Sequence, residues 1–280
     1  MLLSLDSGVS ALNQFQQDLN VIGNNIANVN TVGFKSSTMN FADALSQTLG
    51  SNSAGSEQVG TGVAMASISK QFTQGSITST NVQTDLAVNG SGFFLVKDPS
   101  TGADYVTRDG NFSVDTNGNL VTSSGMRVQG YSDAGLTTVG DIKIDNTGAT
   151  ITTNGVTAAD TSAVQSYSFG SNGKLTVQLA DGTQFTRGQV LLQNFTSPTQ
   201  LMSAGNNLYS GLTAAGPLAA PVAPNSNGLG ALAVGALEMS NVDLAGQLTG
   251  LITAQRAYEA NAKVITTSDQ ILQSLNNLGR

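Results

Sequence analysis

The chain lacks cysteine, histidine and tryptophan altogether, and only 10 % of its 280 residues are charged. Without cysteine it forms neither disulfides nor a nucleophilic thiolate, and without histidine it lacks the commonest general base and metal ligand of proteins. Ordinary domains carry charge on about a quarter of their residues. A surface this poor in charge is weakly protected against self-association, which favours a protein that packs against copies of itself.

Basic residues are scarce as well, with 11 Lys and Arg against 18 Asp and Glu and a formal net charge of −7. Binding to nucleic acid depends on neutralising phosphates, so this balance argues against a nucleic-acid partner. The opening stretch has no basic segment and is interrupted by Asp6, so it does not predict a cleaved signal peptide. Positions 188–237 are uncharged, but four prolines there argue against a membrane helix. We expect a soluble chain without membrane insertion.

The N-terminal residues follow a heptad pattern. Positions 2, 5, 9, 12, 16, 19, 23 and 26 alternate in steps of three and four, and six of these eight positions are apolar. That spacing predicts an amphipathic helix that ends near Ala27. At a rise of 1.5 Å per residue, the helix would be about 40 Å long.

A second heptad stripe lies at the C-terminus. Seven of nine stripe positions between 244 and 272 are apolar or alanine, and Ile271, Leu275 and Leu278 extend the stripe. We predict a long helix capped by Ser240 or Asn241, because such side chains accept hydrogen bonds from the first free N–H groups. Asp243 in the first turn would favour the helix dipole, and Gly279 fits a C-terminal cap.

Between the two ends the apolar period changes to two, which predicts a β-rich middle of short strands. Four pairs have the chemistry of tight hairpin turns, where residues must accept positive φ: Asn89-Gly90, Asn117-Gly118, Asn172-Gly173 and Asp181-Gly182. Two other segments, 50–62 and 211–230, have a composition that predicts flexible loops.

A dense group of asparagines marks the end of the first helix. Asn28, Asn30 and Gly33 are suited to end a helix and turn the chain, because asparagine and glycine tolerate left-handed backbone. Asn24 and Asn25 lie inside the predicted helix, one turn before its end. We expect their amides to hydrogen-bond a neighbouring chain.

No catalytic apparatus is visible. Ser67-Ile68-Ser69-Lys70 matches the S-x-x-K nucleophile motif, but it lies on an alternating run typical of a strand and lacks the companion motifs. The stretch 89–94, NGSGFF, precedes a strand and so forms no phosphate cradle. The stretch 115–119, DTNGN, resembles a calcium loop, yet its twelfth position is Met126 instead of glutamate. We therefore expect no catalytic residue, no cofactor and no metal.

The two helical stripes predict an interface between subunits. A purely intramolecular antiparallel helix pair is the alternative, but the C-terminal stripe is longer than the N-terminal one. Pairing the two leaves an apolar overhang, and copies of the same chain are the simplest partner for it. The expected interface residues are Leu5, Val9, Leu12, Leu19, Asn24, Asn25, Ile26, Asn28, Leu244, Leu248, Leu251, Tyr258, Ile265 and Leu272.

Several motifs together resemble the hook and rod proteins of the bacterial flagellum, and look most like the hook protein. The motifs that carry the resemblance are NNIANVNTVGFKSS (24–37), FADALSQT (41–48), QFTQGSITST (71–80), DLAVNGSGFFLV (85–96), YVTRDGNFSVDTNGNLV (105–121) and the C-terminal segment 235–275. They follow the hook pattern in order and spacing.

The resemblance implies a mainly β protein with long terminal α-helices. It implies a discontinuous helical inner-tube domain formed by both termini (1–28 and 238–280), a β-rich domain (29–131 and 186–237) and a small inserted β segment (132–185). Hook proteins commonly carry a larger insert, so a distal rod subunit is the alternative.

In function, the resemblance implies a non-enzymatic subunit that polymerises helically into the hook, the flexible joint that transmits torque. Its partners would be copies of itself, the other axial proteins (rod, hook cap and hook–filament junction) and the flagellar export apparatus. Its place would be the extracellular hook or the basal body, reached without a cleaved signal peptide. Two other classes stay open: a surface β-rich binding module, and an enzyme that uses Ser67 or Lys70.

Overall fold

The chain begins and ends with a long helix, and the sequence between the two helices forms short strands. The computed structural model describes residues 2–52, 55–153, 156–159, 162–218 and 220–278. The helices are α1 (Leu2–Ala27) and α2 (Leu244–Leu278). The predicted fold class, mainly β with long terminal helices, is confirmed.

The strands are short, and a 3-10 turn (Pro198–Gln200) lies among them. Their bounds are β1 (Ser37–Asp43), β2 (Ser46–Asn52), β3 (Gly55–Gly60), β4 (Val63–Lys70), β5 (Ile77–Ser79), β6 (Leu86–Asn89), β7 (Phe93–Lys97), β8 (Asp104–Thr107), β9 (Phe112–Val114), β10 (Leu120–Thr122), β11 (Arg127–Tyr131), β12 (Val139–Asp141), β13 (Thr150–Thr153), β14 (Val156–Ala159), β15 (Val164–Phe169), β16 (Lys174–Leu179), β17 (Gln184–Val190), β18 (Leu192–Gln193), β19 (Met202–Gly205), β20 (Leu208–Ser210), β21 (Ala231–Val234) and β22 (Ala236–Glu238).

Three of the four predicted hairpin turns are confirmed. Gly118, Gly173 and Gly182 all have positive φ and lie between strands that pair with each other: β9 with β10, β15 with β16, and β16 with β17. The prediction for Asn89-Gly90 is wrong. β6 before it pairs with β21, while β7 after it pairs with β8, so this turn sends the chain from one sheet to another. A local turn signal does not identify which strands will pair.

The loop predicted over 50–62 is also wrong. β2 and β3 form an antiparallel hairpin there, with Ser46 opposite Gly60 and Asn52 opposite Gly55, and residues 53 and 54 lie outside the described ranges. Backbone pairing with a partner strand outweighs the poor β-propensity of glycine and asparagine. Over 211–230 the described residues form turns and two isolated bridges with no named strand, as expected.

The cap of α2 differs from the prediction. Asp243, rather than Ser240 or Asn241, directly precedes the helix, and its Oδ1 accepts a hydrogen bond from the Ala245 N–H at 3.1 Å. A carboxylate at this position satisfies a free N–H group and matches the positive end of the helix dipole. The proposed cap at Gly279 lies outside the described residues.

The chain divides into two compact units. The first, here called the helical unit, comprises Met1–Val29, Lys35–Gln71 and Val242–Arg280, and contains α1, α2 and β1–β4. The second, the β unit, comprises Asn30–Phe34 and Phe72–Asn241. In the helical unit β1 pairs antiparallel with β4, and Phe41 of β1 stacks against Phe15 of α1 with 5.6 Å between ring centroids.

The β unit is built on one large antiparallel sheet, whose main strand order is β15-β16-β17-β11-β7-β8-β20-β19. β16 illustrates why these residues form strands. Leu175, Val177 and Leu179 alternate with polar residues and are fully buried, as a strand with one face on the core requires. Strands β15 and β16, from the predicted insert, join this sheet through β17, which begins at the end of the insert and pairs with β11.

A buried ion pair joins distant parts of the β unit. A guanidinium nitrogen of Arg108 lies 3.3 Å from a carboxylate oxygen of Glu238, and both side chains are almost completely buried. Glu238 also accepts hydrogen bonds from the backbone N–H groups of Gly75 and Gly33, and Arg108 donates to the carbonyl of Gly90. The carboxylate of Glu238 therefore links β22 to Arg108, which follows β8, while its backbone carbonyl holds the loop after α1.

Candidate subunit interface

Small residues bring α1 and α2 into close contact. A Cβ placed on Gly8 would lie 3.2 Å from Cγ1 of Ile265, and one placed on Gly250 would lie 3.6 Å from Cδ1 of Ile22. Asn25 Nδ2 donates to Gln247 Oε1 at 3.0 Å. Residues near the start of α1 thus contact residues late in α2, and residues near the end of α1 contact residues early in α2, so the pair is antiparallel.

The register of this pair leaves part of α2 without a helical partner. Continuing it places Leu2 opposite residues 270 and 271, so that the last turns of α2 extend past the start of α1. Apolar side chains on these turns are exposed: Ile271, Leu272, Leu275 and Leu278. Several of them line an open groove of about 460 Å³ together with Thr267, Gln270 and Ser274. This is the overhang predicted from the unequal lengths of the two stripes.

The most buried stripe of α1 lies one position away from the predicted heptad. Gly8, Ala11, Ile22 and Asn25 are buried, whereas Val9 is 48 % exposed. On α2 only Ala254 and Ser268 are buried. The intramolecular seam thus consists mainly of small side chains, which allow close approach, and it leaves bulky apolar side chains outside.

The predicted interface residues other than the three asparagines fall into two groups. Leu5, Leu12, Leu19, Ile26, Leu251 and Ile265 are half-buried within the helical unit. The exposed group consists of Val9, Leu244, Leu248, Tyr258 and Leu272, with Leu248 half exposed. Sequence reasoning missed Ile252 and Val264, which are also exposed and lie beside this stripe on α2.

Asn25 has a role inside the chain instead of at its surface. It is 1 % exposed, its Nδ2 donates to the Ser37 carbonyl at 2.8 Å, and its Oδ1 accepts from the Ser37 N–H at 2.9 Å. With the contact to Gln247, its amide joins α1, β1 and α2. The expectation that this amide is available to a neighbouring chain is therefore wrong for Asn25.

Asn24 and Asn28 lie at the end of α1. Asn28 Nδ2 donates to the Asn24 carbonyl at 2.9 Å, and the same carbonyl also accepts the Asn28 backbone N–H at 3.2 Å. Asn24 is exposed and lines a shallow cavity of about 420 Å³ between α1 and β4. Gln17 and Asn20 line the same cavity on the α1 side, and Ile68 lines it on the β4 side.

The β1–β4 pair adds apolar surface that the sequence analysis did not identify. Phe41 and Met65 face each other across the two strands, and both are more than two-fifths exposed, as is Ile68. These two strands pair only with each other, and although Phe41 contacts Phe15 of α1, all three side chains remain partly open to solvent.

The structure places the residues of the candidate catalytic motifs on a strand and in a turn. Ser67 and Lys70 lie on β4, opposite Asn40 and Ser37 of β1, and burial lowers the pKa of Lys70. Asp115 forms a turn, in which its carboxylate accepts hydrogen bonds from the N–H groups of Asn117 and Asn119. In the ranges that the structure describes, no three metal-ligating side chains come together.

Burial also raises the pKa of Asp18, on the helical seam.

Neither of the long helices, over its described length, is apolar enough to cross a membrane.

Models of three protein families match successive parts of the chain. Residues 5–35 match the flagella basal body rod protein family, and residues 87–177 match the flagellar hook protein FlgE/F/G D1 domain. Residues 233–278 match the C-terminal region of the flagellar basal body rod FlgEFG proteins. The matched segments include α1, the start of the large sheet and α2.

Full-length relatives point the same way. The chain is 40 % identical to the flagellar basal-body rod protein FlgG of Bacillus subtilis over 288 positions, which cover 100 % of both proteins. It is 37 % identical to FlgG of Buchnera aphidicola subsp. Baizongia pistaciae over 279 positions, 96 % of each chain. To the flagellar hook protein FlgE of Salmonella typhimurium it is 29 % identical over 413 positions, 99 % of this chain and 100 % of the hook protein. The chain therefore belongs to the flagellar rod and hook protein family.

Proposed function

We propose that this protein is a subunit of the distal rod of the flagellar basal body. The observation that carries the proposal is its end-to-end match with relatives named rod proteins, at 40 % and 37 % identity and with hardly any length difference. The sequence motifs had favoured the hook, with the distal rod as the alternative. The comparisons support that alternative better.

The length of the alignments argues in the same direction. Aligning the chain with the hook protein takes 413 positions against its own 280 residues, so the hook protein has a long stretch without a counterpart here. With the Bacillus rod protein, the alignment takes only 288 positions. The stretch of the hook protein without a counterpart here supports the rod assignment over the hook assignment.

The exposed faces of α1 and α2 are the proposed contacts between subunits. Val9, Leu244, Leu248 and Tyr258 are exposed in the single chain, as is the α2 overhang. Large exposed apolar faces of this kind mark protein interfaces. A contact between different faces of identical chains that does not close on itself produces a helical filament. Half-buried residues of the same helices would pack beneath these exposed faces: Leu5, Leu12, Leu19, Ile26, Leu251 and Ile265.

The remaining partners follow from the same proposal. Copies of this chain would form the polymer, with other axial proteins at its two ends and the flagellar export apparatus delivering unfolded subunits without a cleaved signal. The protein would act in the basal body as a structural element without enzymatic activity or cofactor.

A complementation experiment tests the rod assignment. The gene is expressed in two Bacillus subtilis strains, one lacking its rod protein FlgG and the other lacking its hook protein, and swimming and basal-body structure are recorded. We expect the gene to restore swimming only in the strain that lacks FlgG. Electron microscopy of that strain should show rods of normal length.

A matched control guards against failure of expression or export. The Bacillus FlgG gene, expressed from the same promoter, must rescue its own deletion strain, and secreted protein is measured in both strains. Rescue of the hook deletion instead of the rod deletion would overturn the proposal. So would incorporation of the protein into hooks.

A further inference from the structure

One asparagine–glycine pair in the β unit differs from the others in its backbone. The sequence contains five such pairs, and the structure describes four of them, Asn89-Gly90, Asn117-Gly118, Asn172-Gly173 and Asn227-Gly228. In the fourth, the Ser226 carbonyl accepts a hydrogen bond from the Leu229 N–H at 2.9 Å. Asn227 and Gly228 are the two central residues of this turn, with φ of 50° and 76°. These values are typical of a type I′ turn.

The backbone nitrogen of the glycine is held in three of the pairs. The Gly118 N–H donates to the Asp115 carbonyl at 3.0 Å, and the Gly173 N–H donates to the Gly170 carbonyl at 2.8 Å. The Gly90 N–H donates to Oε1 of Gln74 at 2.9 Å. Within the described part of the chain, the Gly228 N–H has no such acceptor. The difference arises because Gly228 occupies the third position of its turn, whereas Gly118 and Gly173 occupy the fourth.

The surroundings of this pair are also open. Asn227 and Gly228 are both exposed, and no heavy atom lies within 4 Å of the place where a Cβ of Gly228 would stand. A glycine after the asparagine removes the side chain that would hinder approach to the backbone nitrogen. Because the nitrogen is neither hydrogen-bonded nor shielded, little structure has to open before it can react.

We propose that Asn227 is a site of spontaneous deamidation in the folded protein. The deprotonated Gly228 nitrogen attacks Cγ of Asn227, forming a new C–N bond and closing a five-membered succinimide. The bond from Cγ to Nδ2 breaks, and the amide leaves as ammonia with the proton taken from the backbone nitrogen. Water then adds to either carbonyl of the ring and gives aspartate or isoaspartate.

The product changes a part of the molecule that has no charge. Positions 188–237 contain no Asp, Glu, Lys or Arg, so the new carboxylate would be the first in this stretch. The isoaspartate form also inserts a methylene into the main chain beside Leu229, a buried residue whose side chain lies against Gly92. Both products are expected to loosen the start of β21, so that aged subunits differ from newly made ones.

Incubation of the purified full-length protein at mildly alkaline pH tests the proposal. Peptide mass spectrometry then measures the replacement of amide by carboxylate at each asparagine over time. We expect Asn227 to react several-fold faster than Asn89, Asn117 and Asn172 in the folded protein. In concentrated urea we expect the rates of all four to become similar, because the backbone hydrogen bonds that protect the other three are lost.

Two further results decide the matter. The Asn227→Gln variant should lose the acidic species that accumulates with age on isoelectric focusing, since the longer side chain cyclises much more slowly. Equal or faster reaction at Asn117 or Asn172 in the folded protein would overturn the proposal. It would also be overturned if Asn227 reacted in urea and not in the native chain.

Discussion

Individual residues in this protein act mainly as ties between segments that are far apart in sequence. Asn25 connects α1, β1 and α2 through one amide, and Glu238 connects the loop after α1 to Gly75 and Arg108. Arg108 also lies over the ring of Phe93, with 5.1 Å between its guanidinium carbon and the ring centroid. Burial lowers the pKa of Arg108, opposed by the nearby carboxylate, and it raises the pKa of Tyr209 in the same aromatic cluster to about 12.

The buried ion pair gives a prediction at this scale. Glu238→Gln leaves the Arg108 charge buried without a counter-charge, which typically costs about 3–5 kcal/mol. We expect the free energy of unfolding of the β unit to fall by that order, measured by urea unfolding followed by tyrosine fluorescence and circular dichroism.

An exposed ion pair serves as the matched control. Lys97 and Asp104 are 4.0 Å apart and about half exposed, so Asp104→Asn should change stability by less than about 1 kcal/mol. Equal effects of the two substitutions would contradict the role given to Glu238.

At the scale of elements, the two helices use different faces for different contacts. The antiparallel seam is built from Gly8, Ala11, Ala254 and Ser268, where small side chains let the helices approach. The bulky apolar residues Leu248, Ile252 and Tyr258 lie outside this seam and are exposed. α2 thus carries two stripes. One packs against α1 of the same chain, and the other is left uncovered by that chain.

Leu248→Gln separates these two faces. Leu248 is half exposed in the single chain, so we expect the stability of the monomer to change by less than about 0.5 kcal/mol. Polymerisation should weaken strongly, because a polar amide would replace an apolar contact between subunits. Sedimentation and negative-stain electron microscopy of concentrated protein measure the polymer.

The same substitution in the β unit provides the comparison. Leu218 is 60 % exposed and lies in the irregular segment before β21, so Leu218→Gln should polymerise as the unaltered protein does. Normal polymers of the Leu248 variant would remove Leu248 from the proposed interface.

At the scale of the whole molecule, the two units differ in how much they bury. Among the described residues of α2, only two of 35 positions are buried. The β unit has an extensive core in which Leu86, Phe94, Val128, Leu175 and many others are fully inaccessible. Segments with few buried contacts open locally at low free-energy cost.

Limited proteolysis of the monomer tests this difference. We expect rapid cleavage within α1 and α2 and a resistant fragment that closely covers residues 72–241, identified by mass spectrometry. After polymerisation the helices should become resistant, because neighbouring subunits would cover their apolar faces. If α1 and α2 of the monomer resisted the protease for as long as the 72–241 fragment, the proposal that their faces need partners would be contradicted.

The sequence by itself determined the two terminal helices and the β-rich character of the middle of the chain. Heptad spacing at both ends and alternation in the middle are local properties, because a helix repeats every 3.6 residues and a strand every two. Three hairpin turns were predictable for the same reason, since the φ of Gly118, Gly173 and Gly182 is dictated within the turn. The apolar overhang was also predictable, because it depends only on the unequal lengths of the two stripes.

Only the tertiary structure decided which residues meet. The seam lies one position away from the predicted heptad, because close approach of two helices selects Gly8 and Ala11 over Val9. The pairing of Arg108 with Glu238 joins residues 130 positions apart, and no local pattern specifies such a distance. A charge at the end of a long uncharged stretch was the one signal that could have marked Glu238 as a buried partner. Contacts of this kind depend on shape and desolvation, which exist only after the chain has folded.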